Sequence, residues 1–468
     1  MNNIINNIKV KRNISPFALV LISFLVVIAL GSLLLVTPWA NSDGLWKWDS
    51  YIDCLFTATS ATCVTGLCTL VNGIGVDLTL FGQIVVLICI QIGGLGFITI
   101  FTFIITLFRK KLKFKDKYAL TQAVGASSIS QLRRFVMHII IISAICEFIG
   151  TGLYFPAFWT ISNGSFVKCL WLSVFHAVSM FNNAGFDLLG STSFVSGVGT
   201  IASMPTWAYN YLLAITMVLI VFGGLSFVAI IDIVSKRKIR LWSAFTKIVL
   251  TMTVSLILLG FLVFLVTERW IKSDNPMSVI DCLFQSVTLR TAGAASYNQN
   301  DLTLAGKIMS CALMFIGGSP LSTAGGMKTT TIFLTVLTIT SFLKGKNVNA
   351  FKRRFSPNNA VKAMTIMFLG MLVLIVGIGV MSAVEIAAKG ADNVDGVNLV
   401  FECFSAFGTV GVSAYGTPNI EFASKIVLCL MMFMGRLGPM TLIQIFESRI
   451  GQEDAKHFDY VEEDILVG

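Results

Sequence analysis

Four short segments of this chain end in a glycine that follows the same set of residues. Phe56, Ser60 and Gly66 have the spacing F-x3-S-x5-G, as do Phe175, Ser179 and Gly185, and again Phe401, Ser405 and Gly411. The third copy is one residue shorter, with Phe284, Thr288 and Gly293. The residues arriving at the glycines are Val64-Thr65-Gly66, Asn183-Ala184-Gly185, Thr291-Ala292-Gly293 and Thr409-Val410-Gly411. None is acidic, so the oxygens on offer are backbone carbonyls. Turning those carbonyls toward one axis demands backbone angles that glycine reaches without strain. Carbonyl rings that replace a hydration shell are how potassium is selected, whereas many divalent-cation pores use rings of Asp or Glu. The chemistry expected of these segments is the binding of K⁺ in a selectivity filter.

A second stretch with unusual backbone demands is Gly317-Gly318-Ser319-Pro320-Leu321-Ser322-Thr323-Ala324-Gly325-Gly326-Met327-Lys328. It interrupts the run Leu302 to Leu343, which is too long for one straight span. Each Gly costs a helix about 1 kcal/mol and Pro about 3 kcal/mol relative to Ala, so the helix is expected to break there. Unwound backbone at membrane depth belongs beside a permeation path. Residues 317–328 are therefore expected to gate the path beneath the filter, with Lys328 snorkelling to the cytoplasmic end. Arg436, inside the last apolar run, is a functional candidate because a charge at that depth is costly unless it faces a pore or a partner; the plainer alternative is an arginine bound to structural carbonyls between helices.

Elements that could hold such groups are visible in the composition. Hydrophobic residues make up 55% of the 468 and charged residues 12%, against roughly 25% charged in a soluble domain. Lipid is the solvent this implies. The first apolar run, Pro16 to Thr37, exceeds the core of a signal peptide and is expected to be a retained span. The net charge of +10 does not indicate nucleic acid, because most of the 34 Lys and Arg fall in alternate loops, as cytoplasmic loops require. Both termini are then expected in the cytoplasm.

Between the basic loops one pattern recurs four times: a long apolar run, a short one ending in the glycine, and another long run. The short runs cannot span a bilayer as helices and are expected to be re-entrant. Polar residues such as Asp53 and Asp281 are expected to cap them outside, with the negative ends of four helix dipoles facing a cation on the axis. The expected fold is an all-α polytopic membrane protein with four helix, pore-loop, helix repeats around one central pore. The expected divisions are a cytoplasmic N-terminus 1–15, repeats 16–118, 119–240, 241–355 and 356–450, and a cytoplasmic tail 451–468.

Taken together, Thr59-Ser60-Ala61 through Val64-Thr65-Gly66-Leu67, Phe181-Asn182-Asn183-Ala184-Gly185-Phe186, Leu289-Arg290-Thr291-Ala292-Gly293 and Phe407-Gly408-Thr409-Val410-Gly411 resemble the Ktr/Trk/HKT superfamily of cation transporters. The resemblance runs from about Pro16 to Gly468 and implies potassium uptake through one pore per subunit. Serine at the first glycine position is associated there with sodium selectivity, and this chain has Gly66. Having no helix pair before repeat one, it resembles the Ktr branch. That branch implies a homodimer on a cytoplasmic ring of nucleotide-binding (RCK/KtrA-like) regulatory subunits, in a bacterial plasma membrane, with sodium as a candidate activator. The resemblance also implies a pore barrier at Arg436 and the gate at 317–328. Ala294, where the family usually has a larger apolar residue, is expected to loosen the packing behind the third filter strand. A sodium-conducting or weakly selective uniporter of the same fold is the rival reading.

Other candidates are weaker. The ten cysteines show no C-x-x-C and no His at ligand spacing, so neither zinc nor a disulfide framework is indicated. Gly224-Leu225-Ser226 with His138 or His176 would make a hydrolase only by stretching a nucleophile motif, and neither spacing recommends a dyad. No enzymatic activity is expected. Gly93-Gly94-Leu95-Gly96 and Gly223-Gly224 suit close helix contacts. Glu147 is open between an ion ligand, for sodium coupling, and a partnered polar residue. The acidic tail residues Glu453, Asp454, Glu462, Glu463 and Asp464 are open between a solvated tail and a contact with the second subunit or the ring, the contact being the favoured expectation.

Overall fold

Apolar runs interrupted by capped turns produce the alternation of long and short helices seen in the structure, a computed structural model that describes residues 16–96, 129–190, 193–195 and 199–438. The first unit has α1 (Pro16–Val36), α2 (Tyr51–Cys63) and α3 (Leu80–Leu95). The second has α4 (Ile129–Trp159), α5 (Phe166–Phe181), α6 (Thr206–Gly224) and α7 (Phe227–Ser235). In the third, α8 (Ala244–Phe264) runs into a π-helical stretch Leu265–Ile271 and is followed by α9 (Val279–Thr288), α10 (Leu304–Phe315) and α11 (Thr329–Leu343). The fourth has α12 (Pro357–Lys389), α13 (Gly396–Gly408) and α14 (Phe422–Leu437). A two-stranded ribbon pairs Asn349–Ala350 with Arg353–Arg354 in the basic link before α12. The expected N-terminus 1–15, the boundary at 118, the boundary at 450 and the tail lie outside the described residues.

Among the described residues, Arg134–Trp159, Thr206–Gly224, Ala244–Ile271 and Pro357–Lys389 are long and apolar enough to cross a membrane. Their outer faces are apolar and unpartnered: Phe148 is 82% exposed and Phe368 67%. Lipid is the environment that makes such exposure favourable. The exposed Trp39, Trp46, Trp48, Trp159, Trp207 and Trp270 lie at the ends of spans or in the loops beside them, where amphipathic rings favour the membrane interface. The short helices α2, α5, α9 and α13 are the most enclosed. Phe56, Phe175, Phe284 and Phe401, the first residue of each spaced motif, all have no exposed surface.

One expected span is divided. The run from Trp207 to Ile233 is largely apolar, yet the helix stops at Gly224 and restarts at Phe227, with Leu225 extended between them. The break frees carbonyls of Gly223 and Gly224, and the 317–328 segment takes them up. The helix caps also differ from expectation. Ser278 caps α9 through the backbone N–H of Asp281, and no side-chain cap is made at α2, so Asp53 and Asp281 are first-turn residues with other partners.

Candidate functional site

Every short helix ends in the same local geometry. Val64, Asn183, Thr291 and Thr409, each two residues before a motif glycine, have left-handed φ between 50° and 67°. The glycines follow with φ of 101° (Gly66), 71° (Gly185), 82° (Gly293) and 100° (Gly411). Only glycine holds such angles cheaply. The motif Ser or Thr then explains its spacing by holding the strand to its own helix. Ser60 and Ser405 Oγ accept from Gly66 and Gly411 N–H at 3.1 and 3.0 Å. Ser179 Oγ and Thr288 Oγ1 instead donate to the carbonyls of Phe186 and Ala294, both at 2.6 Å.

The four strands close into a ring. A Cβ on Gly66 would overlap the Ala184 carbonyl oxygen, one on Gly185 that of Ala292, one on Gly293 that of Val410, and one on Gly411 that of Thr65. Each glycine is thus needed twice, for its own angles and for its neighbour's carbonyl. The contacts run through the repeats in chain order and return to the first. Thr65, Ala184, Ala292 and Val410 thereby bring four backbone oxygens to one level, an arrangement suited to a dehydrated cation. Ala294, behind the third strand, is fully buried and its carbonyl is pinned by Thr288. Ala294 shares a buried cluster with Val287 and Ala292, so the backing of that strand is closed to solvent.

A second ring, on polar side chains, lies around the first. The fourth residue of each helix that follows a filter strand reaches the pore helix of the next repeat. Gln83 Oε1 accepts from Trp171 Nε1 at 2.7 Å, Tyr209 donates to Asp281 at 3.1 Å, Lys307 donates to Asn398 at 2.7 Å, and Lys425 pairs with Asp53 at 2.7 Å. Two buried carboxylates were likewise missed from the sequence. Glu268 accepts from Thr303 N–H at the start of α10, and Glu385 from Glu421 N–H at the start of α14. Each has a lysine four residues on, Lys272 and Lys389, lying over Tyr297 and Tyr415. An E-x3-K pair at the end of two long helices was the signal.

Beneath the ring, residues 317–328 fold as an irregular loop between α10 and α11. Gly317, Gly318, Ser319, Thr323, Gly325 and Gly326 are buried, and Pro320, Ser322 and Lys328 half-buried. Ser319 and Thr323 N–H donate to Gly224 and Gly223 carbonyls, both at 3.2 Å, in the gap between α6 and α7. Thr323 Oγ1 adds a bond to Gly223 O at 2.8 Å and lies 3.3 Å from Asn183 Oδ1 in the second filter segment. Gly325 abuts Thr409 of the fourth. Lys328 does not snorkel away. Its Nζ bonds the Ala324 carbonyl at 2.8 Å, because the glycine turn leaves that oxygen without a helical partner.

Arg436 closes this region from the opposite side. Its guanidinium donates to Thr323 O in the loop and to the carbonyls of Gly93 and Gly94 at the end of α3, the last at 3.2 Å. Gly96, with φ of 78°, ends α3 there and leaves those oxygens open to a donor. Glu147 is a partnered residue: it accepts from Gln91 at 2.9 Å, Ser143 at 3.0 Å and Asn182 at 3.2 Å. His176 is packed among Tyr154, Phe158, Phe175 and Phe194.

The family model described as TrkH, cation transport protein, matches residues 15–457. This chain belongs to that family. Among curated relatives, the TrkH-family chain is 34% identical to the potassium/sodium uptake protein NtpJ of Enterococcus hirae, over 98% of its own length and 99% of the relative's. It is 32% identical to the Ktr system potassium uptake protein B of Bacillus subtilis, covering 95% and 96%. The crystal structure of the potassium transporter TrkH from Vibrio parahaemolyticus matches with a TM-score of 0.66 at 19% identity, over 93% of this chain and 86% of that one. That likeness is one of fold. Family and relatives are transporters, so no catalytic role attaches to Ser226 or the histidines.

Proposed function

We propose that this chain takes up potassium through the axis of the glycine ring, as the ion-translocating subunit of a Ktr-type system. The observation that carries the reading is the ring's closure, in which four positive-φ glycines each make room for the next strand's carbonyl. Oxygens from Thr65, Ala184, Ala292 and Val410 are neutral, so they favour a monovalent cation that exchanges readily over one held tightly. The filter in this reading comprises Val64, Thr65, Gly66, Asn183, Ala184, Gly185, Thr291, Ala292, Gly293, Thr409, Val410 and Gly411. The relatives named for potassium uptake support the choice of ion.

In the same reading the 317–328 loop is the gate and Arg436 its latch and electrostatic barrier. Support comes from the loop's position against Asn183 and Thr409 and from the guanidinium shared between the loop and α3. A homodimer on a cytoplasmic nucleotide-binding ring is proposed from the Ktr system naming of relatives. Sodium as an activator belongs to the same proposal.

The test is ⁸⁶Rb⁺ uptake into liposomes containing the purified chain, with K⁺ and Na⁺ as competitors and the regulatory ring present or absent. Potassium is expected to compete far better than sodium. Equal competition would replace this reading by the weakly selective uniporter, which the name of the Enterococcus relative keeps in view.

A further inference from the structure

The residue after the motif phenylalanine occupies one equivalent place behind each filter strand: Thr57, His176, Gln285 and Glu402, all buried. In repeats three and four it ties the pore helix to the chain returning from the filter. Gln285 and Gln299 exchange hydrogen bonds at 2.6 and 3.1 Å. Glu402 accepts from Ser413 at 2.9 Å and Thr417 at 2.6 Å. Gln299 and Thr417 both lie six residues after their glycines. In repeat two the place is filled by the ring of His176, against Phe194.

Repeat one has no such tie. Its residue six after the glycine is Asn72, and Asp77 has captured it through the backbone N–H at 3.1 Å and the side-chain amide at 2.9 Å. Thr57 is left with its hydroxyl buried and without a partner, and so is Thr69 across from it. Their relative exposures are 1% and 5%. Both line a cavity of about 180 Å³, together with Asn41, Asp53, Asp77 and Lys47, whose ammonium is paired with Asp43. The cavity would hold about six waters at ~30 Å³ each, so its size suits an ion that keeps part of its hydration.

We propose that this cavity binds a hydrated monovalent cation from the external medium, outside the permeation path. The cation would supply the link between pore helix and return strand that Gln285–Gln299 and Glu402–Thr417 supply elsewhere.

The donor set selects the ligand class. Hydroxyl, amide and carboxylate oxygens are hard ligands suited to alkali and alkaline-earth ions. Asn41 has both amide hydrogens engaged by the Leu35 and Thr37 carbonyls, which leaves its oxygen to offer. A divalent ion is disfavoured, because Asp53 is already paired with Lys425 and both Asp77 oxygens are engaged by Asn72. Among the described residues no three His, Cys, Asp or Glu gather into a cage for a metal ion. An anion would meet both aspartates. Occupancy acts on transport through α2, whose Ser60 holds the Gly66 N–H. A filled cavity stiffens the first filter strand and raises flux.

Two measurements on the full chain test this. Crystals soaked in a thallous salt are expected to show anomalous density between Thr57 and Thr69 as well as in the filter, with Na⁺ and K⁺ competition arms identifying the physiological ion. In liposomes, the half-activating external cation concentration for ⁸⁶Rb⁺ uptake is expected to rise about tenfold in Thr57→Val/Thr69→Val, the scale of losing one to two net hydrogen-bonding groups. Thr57→Ser should restore it. Filter density with an unoccupied cavity, or an unshifted activation curve in a well-folded valine pair, overturns the proposal. Loss of filter density as well would count instead against the potassium pathway itself.

Discussion

Replacing Gly411 with alanine isolates what the ring does. The residue sits at φ of 100°, and an added Cβ would overlap the Thr65 carbonyl oxygen and press on the Gly66 Cα. An L-residue held at such an angle costs about 1–3 kcal/mol. If the strand relaxes instead, Thr65 O leaves its place among the four oxygens. The first route appears as a lowered unfolding midpoint, whereas the second weakens K⁺ coordination, and since about 1.4 kcal/mol is a factor of ten in an equilibrium, losing that much of the ring's preference lowers K⁺ over Na⁺ selectivity roughly tenfold. The assay is ⁸⁶Rb⁺ uptake with each ion as competitor, alongside detergent thermal unfolding to establish folding. Gly379→Ala is the matched control. Gly379 lies in α12 with nothing near its missing Cβ and ordinary helical angles, so alanine there should stabilise slightly and leave selectivity alone. Should Gly411→Ala keep the selectivity of that control, the carbonyl ring is not the ion path.

Three further outcomes are expected. Lys425→Met and Asp53→Asn should each lower the unfolding midpoint and show a coupling of about 1.5–3 kcal/mol in a double-mutant cycle, the range for a hydrogen bond to a charged group; strict additivity would mean that the 2.7 Å pair does not latch the ring. Arg436→Gln removes both a positive charge and the bonds to Thr323 and Gly94, so conduction should rise, and a slower, intact assembly would refute the barrier. Shortening 317–328 by a few residues should raise flux at fixed driving force, whereas unchanged flux in a folded variant counts against gating.

What the sequence made legible were features carried by residue type. Phe, Ser and Gly recur because a buried ring, a strand-holding hydroxyl and a positive φ have few substitutes. The Gly and Pro cluster of 317–328 announced its own irregular backbone. The outer ring was hidden for the opposite reason, since Gln83, Tyr209, Lys307 and Lys425 do one job with three side-chain types, and only their place in the helix is common to all. The break after Gly224 was invisible to hydropathy because Leu225 and Phe227 continue an apolar run, and it is made worthwhile by bonds from a segment about a hundred residues later. Lys328 was misplaced because snorkelling presumes satisfied backbone nearby, and the glycine turn leaves carbonyls that are closer partners than water.

The bond between Lys425 and Asp53 joins residues 372 positions apart, and the Gly411 to Thr65 contact closes the inner circle at the same seam. Three quarters of the wall can be inserted without enclosing anything. Until α14 emerges and meets α2, the nascent chain has an open trough facing its own unfinished partner, not a conduit between two aqueous compartments. An axis walled on all four sides therefore requires α14 beside α2, so the ring is completed by its fourth unit and not by any three.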